Sequence, residues 1–350
     1  MTYDFDEIID RKNTNSIKHD FAVEMGKPEG VLPLWVADMD FRVPHCVQER
    51  IRESVELGVF GYSDAKSEYF TAIERWYRKF FDYQLKEEWL VKTPGVVFAI
   101  SAAIRAFSVK GDGILIQQPV YYPFCEEILH NERRLVNNEL LYRHGHYEID
   151  FGDFERKIKE NKVKIFLLCN PHNPVGRVFK EWELRKMGEI CQKYHVVVVS
   201  DEIHCDFTYP GYRHQVFAGL GEEFEAMTIT CTSPGKTFNL AGLQVANIFI
   251  ANEAYRRAFN RAVAQTGYFE LNLFGLVACQ AAYEGGEEWL TQMKKYLKEN
   301  LDFVRSLLQK RLPRVRLVEP EGTYLIWLDC RGLSLSEEER EELIVKKAGL

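Results

Sequence analysis

Three short stretches concentrate side chains that do chemistry: NPHNPVG at 170–176, DEIH at 201–204 and SPGK at 233–236. A lysine amine held beside a carbonyl compound condenses with it to a Schiff base. Lys236 stands in a Ser-Pro-Gly turn just after the run AMTITCT, where a strand would empty into a loop. Asp201 follows VVVVS in the same manner, and Asn173 follows FLLC. A lysine, an acid and an amide at the exits of three apolar runs are the set that pyridoxal phosphate uses: a Schiff-base partner, an acid for the pyridine nitrogen and a donor for the phenolate oxygen. With Asp201 keeping that nitrogen protonated, the ring draws electrons from a carbanion at an amino acid's α-carbon. The phosphate could take the Ser233 hydroxyl and the free backbone amides after Thr93-Pro94-Gly95, where a helix containing Val96 and Val97 begins. Singly these residues are bland, since a strand-end Asp commonly caps a turn and a loop Lys is commonly solvated. Their ordered conjunction carries the reading.

The elements that must position these residues are legible as an alternation. HCVQERIRESVELGV, YFTAIERWYRKFF and VVFAISAAIRAFS have helical periodicity. The short runs GILIQQP, VKIFLLCNP, HVVVVSDE, AMTITCTS and VANIFIAN are apolar on consecutive positions, as strands buried on both faces are. Such strands separated by helices predict an α/β fold with a mostly parallel sheet, in which ligands gather at the carboxyl ends of the strands. EEWLTQMKKYLKENLDFVRSLLQKRL then reads as one long amphipathic helix, leading to a pair of strands within VRLVEPEGTYLIWLD in a second, smaller domain.

The chain has 350 residues, 46% hydrophobic and 28% charged, with a formal net charge of -7. That length predicts one large domain plus a smaller one. The acidic balance argues against a nucleic-acid surface, and the lysine runs KIKENKVK and KKYLK read as solvated helix faces. Eight cysteines without a C-x-x-C pair fit reduced thiols, which points to the cytoplasm, and no metal site is expected. No run reaches the roughly 18 apolar residues of a membrane helix, and the acidic start MTYDFDEIID is unlike an export signal.

LPLWVADMDF (32–41), NPHNPVGRVF (170–179), SDEIHCDF (200–207) and KTFNLAGLQ (236–244) together resemble the fold-type I pyridoxal-phosphate enzymes of the aminotransferase superfamily, and more narrowly the carbon-sulfur β-lyases of the MalY/PatB type. The resemblance runs from about residue 4 to the end. It implies a large domain over 51–285 with a mostly parallel seven-stranded sheet between helices, a segment 1–50 joining the small domain, and a C-terminal small domain over 286–350 that ends short of the family's. It implies that Lys236 anchors the cofactor and later carries a proton, that Asp201 pairs with the pyridine nitrogen and that Asn173 contacts the phenolate. Tyr121 would stack on the ring, with its neighbour Tyr122 a packed tyrosine. Tyr62 would reach the phosphate of the other subunit, which implies a homodimer with shared active sites; its bland alternative is a packing residue beside a helix. His204 stands where many aminotransferases have tyrosine, either near the ring oxygen or in the polar surroundings. Gln244 stands where many carry a phosphate-binding arginine, a departure that agrees with the lyase branch. The arginine that grips the substrate carboxylate in relatives belongs to the tail this sequence lacks, leaving backbone around Val36 and Ala37 for part of that task.

The implied activity is β-elimination from L-cystathionine or related cysteine S-conjugates, giving a thiol, pyruvate and ammonia. An aminotransferase is the alternative enzyme, and a regulatory binding protein on the same fold the alternative of another class. The resemblance also leads us to expect a cis bond at Gln118-Pro119 or Asn173-Pro174.

Overall fold

The computed structural model describes residues 2–350. Two compact units are present: one comprises the chain up to Arg42 with Tyr296–Leu317 and Leu328–Leu350, the other Val43–Lys295 with Val318–Trp327. The larger unit is built on strands β1 (Leu90–Thr93), β2 (Gly113–Ile116) and β3 (Arg134–Asn137), a separate hairpin of β4 (Leu141–Arg143) and β5 (His146–Glu148), then β6 (Ile165–Cys169), β7 (Val197–Asp201), β8 (Thr228–Thr232) and β9 (Ala246–Phe249). Seven of them form one sheet in the order β1-β9-β8-β7-β6-β2-β3. Pairings from β3 through β8 are parallel, whereas β9 is antiparallel to both β8 and β1. Two further short strands, β10 (Arg316–Val318) and β11 (Trp327–Asp329), pair with each other after the long helix Glu287–Arg311.

The continuous apolar runs are explained by burial on both faces. Ile165, Leu167 and Cys169 of β6 pack into one cluster with Val197 and Val199 of β7 and with helix Val96–Phe107. Phe166, Leu168 and Val198 alternate into the opposite cluster with Phe154, Leu184, Met187 and Phe217. Each such side chain withdrawn from water contributes about 1.5–3 kcal/mol. Edge strands β1 and β3 are only partly buried and do not announce themselves in the sequence by that pattern.

Gln118-Pro119, Asn170-Pro171 and Asn173-Pro174 are all cis. All eight cysteines are free thiols. Among the described residues no helix is long and apolar enough to cross a membrane.

Candidate active site

The parallel register of the three central strands brings the chemical motifs together. Cys169 at the end of β6 lies opposite Asp201 at the end of β7, which in turn lies opposite Cys231 of β8. Residues just beyond these ends therefore emerge along one sheet edge. The Asn170 amide donates to the Asp201 carbonyl at 3.0 Å, closing the first of the loops. That loop returns through Gly176, whose φ of 74° suits glycine and where an added Cβ would stand 3.0 Å from the Pro320 Cβ. Only glycine fits a backbone pressed this closely.

Asp201 is 5% exposed, and its carboxylate accepts one hydrogen bond, from the Ile203 amide at 3.1 Å. Burial, more than any neighbouring charge, pushes its pKa up to about 7; Glu202 raises it further, while the Ile203 amide and the Lys236 charge oppose the rise. A carboxylate in this condition lacks a cationic N–H partner, and a protonated pyridine nitrogen is such a group. His204 is buried with no partner for Nδ1 among the described residues, and its ring meets Tyr324 and Phe207 edge-on. Burial, then the Lys236 charge, lowers its pKa to about 3, so it is a neutral imidazole at pH 7. An under-bonded acid and an orphaned imidazole nitrogen, both under the electrostatic influence of Lys236, fit a polar aromatic cofactor.

Lys236 is half-buried in the short helical turn Pro234–Thr237. Ser233 caps this turn: its hydroxyl accepts from the Gly235 amide at 2.9 Å and donates to the Val245 carbonyl at 2.6 Å. The hydroxyl proton that a phosphate would need is thus committed to the loop. From the other side Asp206, buried, accepts from the Thr237 hydroxyl at 2.7 Å and from the Trp76 indole at 2.9 Å. The residue next to Lys236 is therefore clamped to a carboxylate that is itself held by a helix. Sequence reasoning missed Asp206 and Trp76, since their pairing joins positions 130 residues apart.

Tyr121 is joined to the Asn173 loop by its amide, which donates to the Asn173 carbonyl at 3.0 Å, while the Asn173 amide donates to Cys169 Sγ at 3.3 Å. Burial leads in raising the Tyr121 phenol to about 12, with Tyr122 and Asp201 contributing, so the phenol keeps its proton at neutral pH. Tyr122, expected to be packed, is instead 66% exposed. Its position at the start of helix Pro123–His130 turns it outward beside Tyr121, with ring centroids 5.4 Å apart. Val96 and Val97 begin helix Val96–Phe107, whose first amides have no carbonyl partner within the helix. Tyr62 is 100% exposed, which removes its packing alternative within this chain. Gln244, also exposed, caps a short turn in a left-handed conformation.

Val36 and Ala37 belong to the smaller unit. Just beyond them the Arg11 guanidinium donates to Asp38 at 3.0 Å and to Asp40 at 2.7 Å, and Lys18 donates to Asp40 at 2.6 Å. Burial alone would raise the Asp40 pKa, but Lys18, Arg11 and His19 overcome it and hold it at about 2. The chain after Ala37 is thereby pinned by charge.

Two buried networks support the edge from behind. Glu202 accepts from Ser200 Oγ at 2.8 Å, from the Phe217 amide at 3.0 Å and from His214 Nε2 at 2.8 Å. Arg177, just past Gly176, lies between Glu321 at 2.9 Å and Glu183 at 2.8 Å. Lys294, expected on a solvated face, is half-buried and donates to the Asp206 carbonyl at 2.6 Å, because the helix turns that position inward.

A mostly parallel sheet with an acid and a lysine converging at the strand ends is the fold type I architecture of pyridoxal-phosphate enzymes. The chain belongs to the aminotransferase class I and II family, whose profile matches residues 29–348. Within that family its sequence is 39% identical over 343 residues to cystathionine beta-lyase PatB of Bacillus subtilis (strain 168), covering 98% of this chain and 89% of that protein. Cystalysin from Treponema denticola, whose crystal structure contains a pyridoxal 5'-phosphate cofactor, superposes with a TM-score of 0.96 at 37% identity, covering 100% of this chain and 89% of that one. The PLP-bound C-S lyase from Staphylococcus hominis gives a TM-score of 0.92 at 36% identity, covering 100% and 88%. The chain is a pyridoxal-phosphate-dependent enzyme of the lyase branch of its family.

Proposed function

We propose that this protein cleaves the carbon-sulfur bond of L-cystathionine or related cysteine S-conjugates, taking up water and releasing a thiol, pyruvate and ammonia. The observation that carries this reading is the buried, under-bonded Asp201 beside Lys236 at the strand ends, in a chain similar to carbon-sulfur lyases. When bound, pyridoxal phosphate supplies an electron sink for the pair left on the substrate α-carbon. Asp201 would hold the pyridine nitrogen, which would draw its pKa back down, and Asn173 would donate to the phenolate. Tyr121 would cover one face of the ring and offer a protonated phenol. His204 would contribute a neutral imidazole to the polar surroundings. The helix-start amides at Val96 and Val97 would take the phosphate, with Ser233 joining if its hydroxyl turns from Val245.

Lys236 would anchor the cofactor covalently and, once displaced by the substrate amine, would act as the base that removes the α-proton. The β-sulfur then leaves as thiolate. Asp206 would keep the lysine aimed through Thr237. The resemblance assigns part of the substrate carboxylate to backbone around Val36 and Ala37. The absence of an arginine at Gln244 supports a lyase over a transaminase. Incubation with L-cystathionine and no keto-acid acceptor should yield pyruvate, and Lys236→Ala should yield almost none. Amino transfer only when an acceptor is supplied would overturn the reading in favour of an aminotransferase.

We further place the enzyme in the cytoplasm as a homodimer with shared sites, the large domain at 51–285 holding the cofactor. The free thiols support the location, and the dimer rests on Tyr62, an aromatic residue wholly exposed on this chain and matching a tyrosine that crosses between subunits in the family. Subunits carrying Tyr62→Phe, mixed with subunits carrying Lys236→Ala, would form one site with both lesions and one with neither. Each mixed dimer should have about half the activity of the wild-type dimer, so an equal mixture at full exchange should gain about a quarter of the wild-type activity. No recovery under conditions of demonstrated subunit exchange would refute shared sites.

A further inference from the structure

The larger unit contains a concavity, about 300 Å³ in volume, whose lining includes neither Lys236 nor Asp201. Phe80, Phe81 and Leu290 give it an apolar lining, and the exposed Tyr212 and Thr291 line it as well. We propose that it binds a small organic carboxylate with an apolar side chain, the carboxylate lying against Lys294 and Arg213. The size is at the lower end of small-molecule sites, enough for an amino-acid-sized ligand.

The charges facing the cavity decide the sign of its ligand. Six of its lining residues besides Tyr212 are titratable or charged: Cys205, Asp206, Arg213, His214, Glu287 and Lys294, and burial keeps the Cys205 thiol protonated. The Asp206 carboxylate is taken by Trp76 and Thr237. His214 is bonded to Glu202 at 2.8 Å, and Glu287 to Lys79. What remains, among the described residues, is two cations without a carboxylate at hydrogen-bond distance. The Lys294 ammonium donates to a neutral acceptor, the Asp206 carbonyl, and its burial is the main cause that lowers its pKa. The Arg213 side chain is exposed and, among the described residues, has no ion pair. A partly desolvated cation bonded to a carbonyl gains most from an anion, and an exposed planar guanidinium presents a fork that matches a carboxylate. The aromatic and aliphatic lining favours a ligand with an apolar portion over a fully hydrated inorganic anion.

This inference does not depend on the lyase reading, because its readout is binding. In the cofactor-loaded protein, 4-fluorophenylacetate followed by fluorine NMR should show saturable binding. Arg213→Ala should weaken it about tenfold, and Thr291→Phe, which puts a ring into the cavity from an exposed lining position, should abolish it. Both positions are exposed, so both variants should fold, as checked by circular dichroism. The proposal is overturned by a lack of saturable binding up to about 10 mM, or by unchanged affinity in both variants, which would put the probe elsewhere. Sulfate binding as tightly as the fluorinated acid would likewise overturn it, since the apolar lining would then contribute nothing.

Discussion

Asp201, the last residue of β7, and Glu202, just beyond it, are both buried carboxylates, yet their surroundings treat them oppositely. Glu202 accepts from a serine hydroxyl, a backbone amide and an imidazole. Asp201 accepts from one amide, and burial drives its pKa up to about 7. The fully bonded acid belongs to the scaffold. The under-bonded one is the acid proposed above for the pyridine nitrogen, since buried polar groups left incomplete and titrating abnormally concentrate at working sites.

The comparison can be broken by exchanging charge for amide at each position. Asp201→Asn should lower turnover by about a thousandfold, equivalent to about 4 kcal/mol of transition-state stabilisation, with the fold retained. Loss of folding instead of turnover would make Asp201 a scaffold residue. The sign with pH sharpens this test. In cofactor-free protein the Asp201 pKa is raised from 3.8 to about 7, so its contribution to stability is full below pH 3.8 and is lost as pH rises towards 7. At about 1.4 kcal/mol per unit the loss amounts to a few kcal/mol, which denaturant titrations at pH 5 and pH 7.5 should register and which Asp201→Asn should remove. A wild-type protein without cofactor that gained stability over this interval through Asp201 would contradict the assignment.

Glu202→Gln should do the reverse, costing about 3 kcal/mol of stability by leaving His214 facing an amide, with turnover of the folded fraction largely kept. Equal denaturation midpoints would show that the network is not a scaffold. The smallest expected effect is that of Asp206→Asn. An asparagine cannot accept from Thr237 and Trp76 on both of its side-chain atoms, so kcat should fall about tenfold while KM stays nearly constant. Recovery of kcat in an Asp206→Asn, Thr237→Val double variant to the level of Thr237→Val alone would assign the loss to the clamp.

The sequence displayed what is periodic or contiguous. β2, β6, β7, β8 and β9 are buried at every position, because the sheet is covered on both faces, and their runs of apolar residues and threonine show it; the chemical motifs follow three of those runs. β1 and β3 escaped, since an edge strand with half-buried positions looks like a loop. Asn173, Asp201 and Lys236 were legible because their spacing matches a family's motifs. Asp206, Trp76, Arg177 and Glu321 were not: each matters through a partner far along the chain, and a single sequence carries no sign of which distant residues meet. Lys294 misled for a related reason, as a helix's turn toward a neighbour depends on packing rather than on its own lysines. Tyr122 deceived differently, since an aromatic residue beside a strand end has no local feature that says which way it turns.

Arg177 sets a timetable for synthesis. Its partner Glu321 is 144 residues further along, and the carbonyl of neighbouring Gly176 also waits for the amides of Glu321 and Gly322. At roughly 5–20 residues per second, translation needs about 7–30 s to supply them. During that interval the emerging chain carries an arginine and a strand-end loop whose main-chain partners do not yet exist, although β6, β7 and β8 are already complete. The segment Val318–Trp327 therefore acts as a late latch on the loop that bears Asn173. A nascent chain stalled before Pro320 should expose that loop to protease, and release past Trp327 should close it.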